Sequence, residues 1–540
     1  MFGPLSSRAC RRASVLVVQA LVTGCTLTAV VAAAGAAPAA APAPPKWLTP
    51  RDLSEVGADA VIPDLAVDPP GNVVVVWAQA KQSSWTVQAV ARPAGGTWSA
   101  PHALSVPADH VASPQVVVSG SNVLAVWERY DGRNLIAQVA DRNPKTGAWN
   151  PATSLSLPGR DAQAPRIAVD ERGDAMAVWA SVSASGWTIQ SAFRPAGGSW
   201  QPTVAVEPPE AGTAAPDVVL DRFGHAVVVW ASTAGSGWRV NAAYRGSNGA
   251  WSKTFALSGP DPSGSLAPQL ALESTGDVIA VWSRSIGTST VVEQATRAAA
   301  GGAWSAATQI SPSGPDALAP EIAVNQRGDA AVVWTSSDPS GLGVVALLRR
   351  ASRAWGPPAM LVSDVSGPLA PQIALDPKGD ALAVWSHSTS GYSRVQAAGL
   401  SAGSRSWSSP RALSRPGADA LIPQVALDAV GDGAVAWARY NGQSFVIQGV
   451  GYDGSGPELD KLAVPASGVV GKRLTFAVTA KDVWSAVRSI TWSFGDGTAG
   501  SGRLTGHTYT RAGRFTVQVT ATDSVGHVTS VRRSVSVRAA

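Results

Sequence analysis

The chain has 540 residues, with 54 glycines, 39 prolines, two cysteines and only 15 % charged residues, a composition that suits an all-β protein with many turns and excludes a helical bundle or a disordered polymer. Its formal net charge is +5, but Arg8, Arg11 and Arg12 supply three of those charges in an N-terminal segment without acids, so the remainder carries 5 − 3 = +2. No basic run interleaved with aromatics occurs, which removes nucleic acid as a partner.

Residues 1–37 follow the order of an export signal: the three arginines, an apolar stretch from about Val15 to Val31, then the small residues Ala32–Ala37. The expectation is a cleaved signal peptide and a secreted or cell-surface protein with no membrane insertion after cleavage. Two other outcomes stay open. Ser14–Ala34 has the length of a retained membrane anchor. Val22-Thr23-Gly24-Cys25 resembles a bacterial lipobox, in which Cys25 would carry lipid. Cys10 and Cys25 both lie in this segment, so the exported chain would have neither disulfides nor thiol chemistry.

Downstream, an apolar run ends in tryptophan eight times, at Trp77, Trp127, Trp179, Trp230, Trp282, Trp334, Trp385 and Trp437, in steps of 50–52 residues. A fixed period of this size marks a stacked or radial array. In the third copy, Pro165–Asp170, Ala175–Ala180, Trp187–Arg194 and Trp200–Val206 read as four strands separated by turn-forming residues. Four antiparallel strands per repeat describe a β-propeller blade. Solenoid repeats would instead join parallel strands by wide turns.

A second tryptophan opens each fourth strand, at Trp98, Trp149, Trp200, Trp251, Trp304, Trp355 and Trp407, and the eighth copy lacks it. The missing strand precedes the first copy. Trp47–Ser54 matches Trp407–Ser414, and each tryptophan lies 30 residues before its partner, Trp77 or Trp437. Such a displacement predicts an eight-bladed β-propeller over 46–455, closed by the N-terminal strand.

The first hairpin of the copies repeats D-x-x-G-[DN], as at Asp68/Gly71/Asn72, Asp170/Gly173/Asp174, Asp376/Gly379/Asp380 and Asp428/Gly431/Asp432. An acid at a turn start accepts backbone N–H groups, and the glycine permits positive φ. A calcium loop would use more alternating oxygen donors, and the fourth and sixth copies carry His225 and Asn325 at acidic positions, so turn chemistry is the reading. The signature distantly resembles the Asp-box of sialidase-like propellers, without its preceding serine and aromatic spacing. The periodic tryptophans read as buried between neighbouring blades. A third-strand amide (Gln88, Gln138, Gln190, Asn241, Gln396, Gln448) is expected to pair with the backbone of the next blade.

Where copies differ, a ligand has room to be recognised. Eight residues beyond the blade tryptophan stand Trp85, Trp187, Trp238 and Phe445, and Tyr130, Tyr392 and Tyr440 lie in the same loops. The links joining fourth to first strands carry Asp59, Asp109, Asp161, Asp316 and Asp419. Rings that stack on sugar and carboxylates that accept its hydroxyls make this the candidate ligand-binding face. No catalytic motif is present, and neither cofactor nor metal is assigned.

After Glu458 the period is lost. Trp492-Ser493-Phe494-Gly495-Asp496-Gly497-Thr498, His507-Thr508-Tyr509 and Thr522-Asp523-Ser524-Val525-Gly526 closely resemble the motifs of a PKD domain, here 458–540. The resemblance implies an immunoglobulin-like β-sandwich serving as spacer or binding module in an extracellular, often bacterial, protein, with Trp492 and Tyr509 in its core. The leading expectation is a secreted or cell-surface binding or adhesion protein that recognises glycan or cell-wall material through one propeller face. A protein-interaction scaffold and a glycan-active hydrolase or lyase are the alternatives, and fold alone does not choose among them.

Overall fold

The computed structural model describes residues 44–540 apart from 236, 263–265, 300, 301, 352, 368 and 390; the export-signal segment with Cys10 and Cys25 lies outside them. Among the described residues no helix is long and apolar enough to cross a membrane. All assigned regular elements are strands.

The repeat region consists of propeller-like blades, each an antiparallel meander. In the third copy the strands are Asp161–Val169, Ala175–Ser183, Gly186–Arg194 and Val204–Ala205, paired in that order. The inner strand starts earlier than its apolar alternation suggests, because a register shift between Gln163 and Arg166 lets it continue past a bulge. The outer strand keeps only two ladder residues, since Trp200 turns onto the core instead of pairing.

The last copy supplies Ala420–Leu427, Gly433–Tyr440 and Phe445–Asp453, and its outer position is filled from the start of the described chain. Lys46 and Trp47 pair with Asp453 and Tyr452, and Arg51 and Asp52 pair with Gly449 and Gln448. Leu53 continues this contact, donating its N–H to the Ile447 carbonyl at 2.7 Å.

Successive sheets interlock through the second strand. In the first copy Val74, Val76 and Ala78 pack forward against Trp127, while Val73, Val75 and Trp77 pack back against Ala434, Ala436, Ala438 and Ile447 of the last. The two sides alternate because a strand sends successive side chains to opposite faces. All eight periodic tryptophans are fully buried in this way. The second set is half-buried: Trp98 covers the seam between the last and first sheets, and Trp47 that between the seventh and last.

The turn signature acts as expected. Asp68 accepts the Asn72 amide at 2.7 Å and Asp170 that of Asp174 at 2.9 Å. The second polar residue then reaches the turn 22 residues on: Asp174 accepts the Ala196 amide at 2.7 Å and Asp329 that of Ala351 at 2.9 Å. The third-strand amides differ from expectation. Where they are bonded, their partners are side chains of their own sheet, as in Trp179 Nε1 to Gln190 Oε1 at 3.2 Å and Gln448 Nε2 to Asp52 Oδ1 at 2.7 Å, while Gln396 Oε1 has no partner among the described residues.

The C-terminal sandwich has a three-stranded sheet (Glu458–Ala463, Arg473–Lys481, Leu504–Thr508) and a second sheet built on Val487–Ser493, Gly513–Asp523 and Val528–Arg538. Trp492 and Tyr509 are buried with Phe476 and Phe494, and the Tyr509 hydroxyl donates to the Phe494 carbonyl at 3.0 Å. His507 stacks on Phe494 and bonds Asp496 at 2.7 Å, tying the G-D-G turn to the H-x-Y strand.

The sandwich meets the repeat region in two places. Arg92 donates to the Val483 carbonyl at 2.7 Å and lies 3.7 Å over the Trp484 ring. His527, fully buried, sits 3.0 Å from Asp453 and 3.2 Å from Asp523 through Nδ1, and 3.1 Å from the Pro44 carbonyl through Nε2. A carbonyl only accepts, so Nε2 carries a hydrogen. Burial pulls the His527 pKa down, but the Pro44 carbonyl and the two carboxylates outweigh it and the net shift is upward. Burial, with Asp482 and Asp432 nearby, pushes Asp453 up to about 6.

Two predictions follow from these seams. Leu53 is 6 % exposed, and Leu53→Ala is expected to cost about 2–4 kcal/mol in denaturant unfolding of the repeat region; a change within error would mean that residues 46–54 are an appendage. At the second junction both shifts have one sign. Raised pKa values mean that the folded state holds protons more tightly, so stability falls as pH rises, first above 3.8 as Asp453 ionises and again above 6.5 as His527 discharges. Limited proteolysis near residue 455 is expected to accelerate from pH 6 to pH 8, and His527→Gln to flatten that upper step.

Candidate functional site

Every inner strand carries one irregular feature at the same place. The residue before its proline has positive φ, between 36° and 53°, at Ile62, Ser113, Ala164, Ala215, Ala267, Ala319, Ala370 and Ile422. In six copies the register shift is resolved at this point. A bulge re-aims the side chains beside it. The residue after the proline is polar in every copy: Asp64, Gln115, Arg166, Asp217, Gln269, Glu321, Gln372 and Gln424.

These side chains lace one inner strand to the next. Asp64 accepts the Val116 amide at 2.7 Å, Gln115 that of Ile167 at 2.8 Å, and Asp217 that of Leu270 at 2.7 Å. They also converge. Burial raises Asp64 to about 6, Glu321 to about 7, and Asp217 in the same direction, while the single cation Arg166 pulls all three down. Asp217 and Asp64 in turn push Glu321 up. Groups from the first, third, fourth and sixth copies therefore share one electrostatic space. Reading apolar periodicity passed over this ring; the signal was the varied polar residue after an invariant proline.

The loop face predicted from sequence resolves into two devices that meet one local need, an acceptor for an amide at the start of the third strand. In four copies a link aspartate supplies it: Asp161 accepts from Leu135 at 2.9 Å, Asp316 from Thr290 at 2.6 Å, Asp419 from Ser393 at 2.8 Å, and Asp59 from Phe445 at 2.8 Å. In three copies a backbone bridge supplies it, and there a tryptophan stands. Trp85 pairs with Ala108, Trp187 with Glu210 and Trp238 with Asp261. Those three indoles are half-buried lids on the inter-sheet cores. Asp109 is exposed and accepts no hydrogen bond among the described residues.

The predicted residues thus differ in setting from copy to copy. Trp187, Trp238 and Asp316 belong to separate sheets across the array, and Tyr130 is half-buried beside the His110 carbonyl that its amide reaches at 2.9 Å. Five others form a continuous run over the seventh, last and first sheets. Tyr392 is 47 % exposed and stands next to Ser393, whose amide Asp419 caps. The Asp419 carbonyl accepts the Tyr440 amide at 2.8 Å. Tyr440, 38 % exposed, lies 5.5 Å from Phe445 between ring centroids, and the Phe445 amide is held by Asp59. Asp59 and Asp419 each use one carboxylate oxygen for the cap and leave the other without a protein partner among the described residues.

Among the described residues, Asp453, Asp523 and His527 are the group whose potential metal-binding atoms lie within 4.8 Å of one another. There the imidazole nitrogen already occupies the space between the two carboxylates. That arrangement is a charge-paired junction of two domains, away from both the inner ring and the loop face.

The inner ring yields a direct test. With its pKa raised to about 7 from 4.5, Glu321 binds its proton more tightly in the folded state, so it reduces stability as pH rises through that window. Glu321→Gln is expected to leave stability near pH 5 unchanged and to raise it at pH 8 by about 1–3 kcal/mol, read from urea unfolding at the two pH values. Equal effects at both would show that the carboxyl is not shifted.

A family model described as PKD domain matches residues 455–538. No protein of curated function matches the chain in sequence. Among solved structures, the polysaccharide lyase Uly1 is similar at 8 % identity over 63 % of this chain and 89 % of its own, with a TM-score of 0.42. A NanB sialidase variant from Streptococcus pneumoniae is similar at 9 % identity over 71 % and 83 %, with a TM-score of 0.36. The PKD1 domain of Vibrio anguillarum Epp is 26 % identical over 16 % of this chain and 98 % of its own, with a TM-score of 0.14. The C-terminal segment 455–538 is a PKD domain, starting three residues before the point at which the tryptophan period visibly ends.

Proposed function

We propose that the chain is a secreted or cell-surface carbohydrate-binding protein that holds glycan or cell-wall polymer on one face of an eight-bladed propeller, with the PKD domain as spacer. In this reading the propeller spans 46–455, its ring is closed by the N-terminal strand, and residues 1–37 are removed on export. The observation that carries the proposal is the run Tyr392–Asp419–Tyr440–Phe445–Asp59. Exposed phenol rings offer flat apolar surface to sugar C–H groups, and the adjacent carboxylate oxygens that the caps leave free accept hydroxyl protons.

The same face exposes Val56, Ile62 and Ile422, and this favours a peptide segment as the second reading. One experiment addresses both. Co-sedimentation of the full chain with peptidoglycan and with insoluble polysaccharides is expected to show binding that Tyr392→Ala plus Tyr440→Ala weakens about tenfold, or about 1.4 kcal/mol, with the melting temperature unchanged. Undiminished binding in the double variant would reject this face. The lid variants Trp187→Ala and Trp238→Ala are poor probes here, because both rings pack on the core and their loss lowers stability.

A further inference from the structure

At the opposite end of the sheets, where first hairpins turn, a cavity of about 870 Å³ opens across the second to sixth copies. Its floor is apolar, formed by the ends of four inner strands at Val169, Leu220, Leu272 and Val324. Its rim carries the variable residues of the hairpins, including Glu171, Arg222, Phe223, Thr275 and Gln326. The volume lies in the upper part of the range for small-molecule sites.

Charge bookkeeping narrows the ligand. Two acids of the lining sit on guanidinium groups, Asp170 at 3.2 Å from Arg172, which Asp174 shares, and Glu273 on Arg349, while Asp221 is hydrogen-bonded to the His225 imidazole at 2.9 Å. Glu171 makes no ion pair among the described residues, and Arg222 lies 5.0 Å over the Phe223 ring without a carboxylate partner. Beside the acids held in this way, the rim offers one carboxylate acceptor, Glu171, and one donor fork, Arg222, that are not engaged with each other or with another charged side chain among the described residues. Phe223 is 58 % exposed, with the His225 ring 6.0 Å away between centroids. Thr275 and Gln326 add a hydroxyl and a carboxamide, each able to donate and accept.

An anionic ligand would meet Glu171 and the paired acids, and a cationic one would meet Arg222. Vicinal hydroxyls suit a carboxylate and a guanidinium on one rim, and a pyranose C–H face suits an exposed phenyl ring above an apolar floor. We infer that this cavity is a second binding site, taking a short uncharged oligosaccharide. It extends the proposed carbohydrate function but shares no residue with the loop face, so either can fail alone.

The test is calorimetric titration of the full chain with maltotetraose, cellotetraose and chitotetraose. At least one is expected to bind saturably, with affinity reduced about tenfold or more in Arg222→Ala plus Phe223→Ala and unchanged in Tyr392→Ala plus Tyr440→Ala. Glu171→Gln, which keeps shape and alters one exposed side chain, is expected to weaken the same ligand and guards against a folding defect in the double variant. Failure of all three sugars to bind would overturn the inference. So would binding that survives the Arg222 and Phe223 changes, or binding lost only with the tyrosines, which would leave the loop face as the single site.

Discussion

Each sheet is held by a tryptophan that belongs to the next one. Trp127 closes the core against Val74, Val76 and Ala78, Trp179 does so against Leu124 and Val126, and the series runs on to Trp77 against Ala434 and Ala436. Replacing one such ring by alanine removes about 3–5 kcal/mol by the usual cost of a large core cavity. A folded chain commonly has only about 5–15 kcal/mol in hand. This interlock is therefore the constraint around which other features are arranged, and the tryptophans have no freedom to serve a ligand.

Once that spacing is set, the loops and hairpins inherit fixed tasks. The first acid of the hairpin caps its own turn and the second reaches a turn 22 residues on, so the hairpin end of a sheet is tied by backbone amides as well as by ion pairs such as Asp170–Arg172 and Asp329–Arg350. At the other end, either a link aspartate or a backbone bridge satisfies the same amide. Variation between copies at this end is thus partly an exchange of one solution for another, and only what remains exposed after the exchange is left to meet a partner.

Much of the architecture could be read from residues because its physics is periodic. The eight apolar runs ending in tryptophan reflect a strand covered on both faces, and the misplaced Trp47 pointed to pairing with residues near 452. The PKD motifs located a buried Trp492 and Tyr509 correctly. What escaped was set by three-dimensional convergence. Asp64, Arg166, Asp217 and Glu321 each follow a proline at the same place in the repeat, but apolar periodicity does not show that they share one space. Likewise, Trp187 and Tyr440 looked equivalent as loop aromatics, yet one covers a core and the other stands in water. That difference depends on whether a backbone bridge folds the neighbouring link over the ring.

The prolines of the inner strands have one more consequence. An inner strand is a sheet edge, and an unblocked edge is a template on which another extended chain can add itself. Here each edge carries a residue without an amide hydrogen, preceded by a left-handed kink and followed by a polar side chain, which in the first, second and fourth copies is bonded to the adjacent strand. A polypeptide threading along these edges would find its ladder interrupted at the same level in every copy. The inner surface is thereby proofed against self-templating growth, and anything recognised there must be read by side chains alone.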